Sequence, residues 1–104
     1  MSRGGDAGTE AAEKLMAYIE ECYCEPPSTW CSGLFEEMTY SRWAALEIVE
    51  LLMDRPLDPP EDVVSDFLLR VALYSQVAKT PIQQRVFSIA EDTAEDILQF
   101  FSQS

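Results

Sequence analysis

The chain contains no histidine. That removes the commonest general base, the commonest metal ligand and the side chain that ordinarily changes charge near neutral pH. Bases are scarce: 7 Lys and Arg stand against 19 Asp and Glu, a formal net charge of −12. Phosphate backbones and anionic membrane surfaces are held by clustered Lys and Arg, so neither direct nucleic-acid binding nor membrane binding is expected. No apolar run approaches the ~20 residues that a membrane span needs. The longest, within Asp58–Lys79, is interrupted by Asp62, Asp66 and Arg70.

Glycine is also rare. Three of the four lie in the opening stretch MSRGGDAG, so no Gly-rich phosphate loop or dinucleotide fingerprint exists. That stretch carries no hydrophobic pattern, and residues 1–8 are expected to form a disordered leader before a single helical domain at 9–104. Cysteine is present in an odd number, as Cys22, Cys24 and Cys31, which makes a poor disulfide framework. With no apolar leader either, a cytoplasmic location with reduced thiols is expected. Structural zinc wants four Cys or His ligands, and only three thiols are available. No metal and no cofactor are expected, and Cys22 and Cys31 are taken as small buried hydrophobes.

What remains is helix. The chain is 47% apolar over 104 residues, enough for one domain that buries roughly two-thirds of its unfolded surface. Four helices are predicted, at about 9–25, 41–55, 59–79 and 81–101, with a possible short helix at 34–38. No β alternation competes with them, so the expected fold is an all-α, compact four-helix bundle. In the first helix Ala12, Leu15, Met16, Ile19, Cys22 and Tyr23 fall on one face, with Thr9 as cap and Pro26 as stop. The second places Ala44, Ala45, Ile48, Val49 and Leu52 inward, with Trp43 facing the core or its rim.

The third predicted helix is the best punctuated. Asp58 reads as its N-cap, Pro59 as its first residue and Glu61 as the capping-box partner. Val63, Val64, Phe67, Leu68, Leu69, Val71, Leu73 and Val77 surround it nearly completely. A helix apolar on all sides is usually buried, so this one is expected to be the central post of the bundle. Thr80, Pro81 and Gln83 repeat the same start grammar for the fourth helix.

Two groups of side chains remain as candidates for function. The acids Glu91, Asp92, Glu95 and Asp96 fall opposite the Ala90, Ala94 and Ile97 stripe and are expected to form a solvated face. The aromatic residues Trp30, Phe35, Tyr40 and Trp43 crowd into one short stretch around Glu36 and Glu37, and they are the apolar residues least explained by helix stripes. Exposed aromatics mark contact hot spots, so Trp30, Phe35, Glu36, Glu37 and Tyr40 are expected to bind a partner. The adjacent Phe100 and Phe101 cannot both point inward on one stripe, which offers a second contact point. The chain is therefore expected to be a non-enzymatic interaction or regulatory domain that binds another protein or itself. An acidic nucleic-acid mimic that inhibits a DNA-binding protein is the alternative, followed by a carboxylate and metal-dependent enzyme.

Overall fold

The computed structural model describes residues 7–103. The expected leader lies outside the described residues as far as residue 6. Its last two positions, Ala7 and Gly8, open the first helix. The architecture is an all-α bundle of four helices: α1 (Ala7–Cys22), α2 (Ser32–Asp54), α3 (Pro60–Gln76) and α4 (Pro81–Ser102). All four contribute to one core, in which Leu15, Ile19, Ile48, Leu52, Val63, Val64 and Ile97 are fully buried. Among the described residues no helix is long and apolar enough to cross a membrane.

The helix boundaries follow local chemistry. The backbone N–H of Gly8 donates to Pro56 O at 2.9 Å, which lays the first turn of α1 against the end of α2. A side chain at Gly8 would strike the Pro56 Cα and lie 2.5 Å from the Leu52 carbonyl oxygen. At its other end α1 stops at Cys22, short of the expected residue 25. Arg42 Nη1 donates to the Tyr23 carbonyl at 2.9 Å there, drawing the chain out of the helix toward Pro26. The separate helix expected at 34–38 is instead the start of α2, which runs without a break from Ser32.

The start of α3 corrects the assignment of Asp58 as a cap. Pro59 precedes Pro60, and a residue before proline is pushed out of the helical region. Pro59 is accordingly extended (φ −61°, ψ 140°) and Pro60 is the first helical residue. Asp58, one position too early to cap, accepts from Arg55 Nε at 2.7 Å. α4 begins as expected: Thr80 Oγ1 accepts from the Gln83 N–H at 3.1 Å with Pro81 first in the helix. Gln83 Oε1 in turn accepts from the Lys79 N–H at 3.0 Å, one residue before the usual capping-box donor.

The central role expected for α3 is overturned. Packing is closest between α3 and α4, while α2 lies against both α1 and α4. The inward face of α3 holds Val63, Val64, Phe67 and Val71. Leu69 and Leu73 on its outer side are 64% and 63% exposed. Four helices do not supply enough neighbours to surround one of their number, so the outer apolar face of α3 stays bare.

The core ends before the helices do. The buried side chains of α2 start at Ala44, those of α3 stop at Val71 and those of α4 start at Ile89. The inward stripe of α2, read back from Ile48 and Ala44, continues into Ser41 and Glu37, which cannot extend an apolar core. The start of α2 and the start of α4 stay together beyond that point. Arg85 Nη2 donates to the Gly33 carbonyl at 3.3 Å, and the Tyr74 ring meets Phe87 at 5.7 Å. One end of the molecule is thus a bundle of three helix termini with no buried helical residue, and it carries most of the exposed aromatics.

Candidate functional site

The candidate site grows from the connection between α1 and α2. After Pro26 and Pro27 the chain turns, with the Trp30 N–H donating to the Pro27 carbonyl at 3.1 Å. Cys31 takes the N-cap position of α2 with an extended backbone and no side-chain cap. Trp30, at the head of the helix, is 39% exposed.

From here the helical period sorts the expected contact residues onto different faces. Phe35, Thr39, Arg42, Trp43 and Leu46 form one stripe. Together with Glu25 and Pro26 they line an open groove of about 440 Å³. Thr39 donates its hydroxyl to the Phe35 carbonyl at 2.7 Å, which uses its one donor within the helix. Glu36 and Tyr40 lie on the next face and line a smaller groove with Pro81, Ile82 and Arg85. Glu37 lines a third, with Tyr23, Ser41, Ile89, Asp92 and Thr93. The five residues expected to act together therefore share one helix start but not one surface.

Trp43 was expected to face the core or its rim. It is 46% exposed, not turned to the core. Ala44, Ala45, Ile48 and Leu52 fix the inward direction of α2, and at 100° per residue Trp43 points almost directly away from it. Trp43 and Phe35, about two turns apart, line the same groove with Arg42.

A second constellation joins α1 to α4. Tyr18 and Tyr23 both donate their hydroxyls to Asp96 Oδ2, at 2.8 and 2.6 Å. Phe100 stacks on Tyr18 at 4.3 Å and meets Phe101 edge-on at 5.2 Å. Asp96 is thus half-buried between helices, which corrects its assignment to the solvated acidic face; Asp92 and Glu95 remain exposed. Phe101 is in the core and Phe100 is covered by α1, so this pair is not an unsatisfied contact point. Burial first, then the hydrogen bond to Asp96 and the charge of Asp96, push both phenols well above the ordinary tyrosine range. With Asp96 Oδ2 occupied by two hydroxyls, the cluster acts as a polar strut.

The cysteines sit elsewhere than expected. Cys22, Cys24 and Cys31 are free thiols, and all three are exposed. Cys22 closes the last turn of α1 and Cys24 follows on the connection, beyond the point where α1 packs on the core. Among the described residues no three Cys, Asp or Glu side chains converge to hold a metal ion. Comparison with protein-family models, with curated proteins and with solved structures finds no match to this chain.

Proposed function

We propose that the chain is a non-catalytic interaction domain that holds an apolar segment of a protein partner in the groove along the start of α2. One observation carries this reading: Phe35 and Trp43, both substantially exposed, face the same open groove beside Pro26 and Leu46. Aromatic side chains offer large contact area at little entropic cost, and a Trp in such a position is the commonest kind of contact hot spot. Arg42 and Glu25 at the groove supply one charge of each sign at its polar edge. Trp30 extends the contact at the head of α2, while Glu36, Glu37 and Tyr40 flank it on neighbouring faces.

The test compares Trp43→Ala and Phe35→Ala with the parent chain as baits for partners from the native host, alongside circular dichroism of each. Both side chains are largely outside the core, so helix content and melting temperature should change little. A stoichiometrically captured partner should lose about 2 kcal/mol of affinity, roughly thirtyfold, with Trp43→Ala. Undiminished capture by both variants would sink the reading, as would loss of the fold in both.

A further inference from the structure

We infer that the partner segment held along α2 is a basic amphipathic helix, with a lysine or arginine lying over the Trp43 ring. This rests on the groove reading and adds the chemistry of the occupant. The support is the order of side chains on the outer face of α2. At about 100° per residue, Glu36, Glu47, Glu50 and Asp54 all fall within about 40° of Trp43. Phe35, Leu46 and Met53 fall together in a line to one side of them. Met53, beyond the groove, is 61% exposed, so the apolar line stays open past Leu46. An apolar track and an acidic track therefore run side by side from Phe35 to Asp54, about 28 Å at a rise of about 1.5 Å per residue.

The acidic track is not matched by bases of its own helix. Arg42 is the only base in α2, and it lies on the far side of the apolar line, where it donates to the Tyr23 carbonyl. The ion pairs among the described residues are those of Arg55 with Asp58 and Asp66. Glu36, Glu47, Glu50 and Asp54 thus form none, Glu36 even though it shares the neighbouring groove with Arg85. Glu36, Glu50 and Asp54 are exposed and Glu47 is half-buried, so all four carboxylates can be reached from outside.

This pairing of tracks selects the occupant. A helix laid against α2 presents apolar anchors at helical spacing to Phe35, Leu46 and Met53. Its side chains next to those anchors then lie over the carboxylates, where a base is attracted and an acid is repelled. A base in that position also meets Trp43, the aromatic ring that holds a cation best, with Glu47 one turn further along. The aliphatic stem of lysine or arginine packs on the indole while its charged end reaches the acids. A second copy of this chain, at net charge −12, has the wrong sign for the same surface.

Fluorescence anisotropy of labelled synthetic peptides, each about 18 residues long to match the track, tests this on the full chain. Three probes share leucines at helical spacing and differ only in their polar side, which is Lys, Gln or Glu. The Lys peptide should bind with a Kd of tens of micromolar and weaken about tenfold between about 50 and 300 mM NaCl. The Gln peptide should bind more weakly and the Glu peptide not at all. Trp43→Ala should weaken the Lys peptide about tenfold, and Phe35→Ala serves if circular dichroism shows that Trp43→Ala perturbs folding. Glu47→Gln with Glu50→Gln should weaken it severalfold. Asp92→Asn with Glu95→Gln, which removes the same charge from α4, should leave it nearly unaltered. A Gln or Glu peptide that binds as tightly as the Lys peptide, and is lost in Trp43→Ala, overturns the basic partner and leaves the groove reading standing. Equal losses from the two acid pairs and none from Trp43→Ala would mean diffuse attraction to an acidic molecule, against both readings. A Lys peptide that fails to bind at about 200 µM in low salt overturns this inference alone.

Discussion

At the scale of single residues, two positions have consequences out of proportion to their size. Gly8 lies where the first turn of α1 touches the backbone of Pro56 and Leu52. Gly8→Ala improves helix propensity by up to about 1 kcal/mol. The methyl group, however, meets backbone atoms that cannot rotate aside, a cost of about 1–3 kcal/mol. The clash wins, and urea unfolding should show a net loss of stability. Asp96 is the other position. Its two phenols stay protonated in the folded chain, whereas in the unfolded chain they ionise near pH 10. Above that pH the unfolded state binds fewer protons than the folded one, so stability is unaffected below about pH 10 and falls as pH rises further. The doubly substituted Tyr18→Phe, Tyr23→Phe chain should show a flatter decline over the same range. Neither feature was legible as such. Gly8 reads as part of a polar leader until Pro56 is set against it, and Asp96 reads as one acid among four until Tyr18 and Tyr23 are folded over it. Trp43 was expected at the core or its rim, although its angle to Ala44, Ala45 and Ile48 turns it outward.

At the scale of elements, the helix starts separate two kinds of proline grammar. Thr80 caps α4 through its hydroxyl, so Thr80→Ala should cost about 1 kcal/mol. Asp58→Ala should change stability little, because Asp58 is half-exposed and pairs with Arg55 instead of capping α3. Parallel thermal melts of the two variants decide the matter, and equal losses would show that Asp58 caps after all. The difference was written in the residues. Pro81 stands alone after Thr80, but Pro59 is followed by Pro60, and the second proline moves the start by one position. The four helices and most of their inward faces follow from apolar spacing, which depends only on neighbours along the chain. The bare outer face of α3 does not, because an apolar pattern states what a helix could bury and not how many partners surround it. Phe35, Glu36, Glu37 and Tyr40, four of the five expected contact residues, divide among three grooves for a related reason: nearness in sequence on a helix spreads side chains around its circumference.

At the scale of the whole molecule, charge and shape act together. The bundle measures 46 × 33 × 22 Å, and its acids repel one another across a body of that size. Repulsion over distances near the Debye length of about 8 Å is screened by salt, so the melting temperature should rise between low ionic strength and physiological salt. A fall would mean that attractive pairs such as Arg55 with Asp58 and Asp66 outweigh the repulsion. The chain has two regions of unequal firmness, since the core stops at Ala44, Val71 and Ile89 while the helices go on. Opening the far end exposes only partly buried side chains such as Phe87, so it takes less free energy than opening the core. In hydrogen–deuterium exchange the amides of α2 before Ala44 should trade protons for deuterons well ahead of those from Ile48 to Leu52, without global unfolding. A molecule bound at that end would slow this exchange, and the protected amides would then trace its footprint before its identity was known.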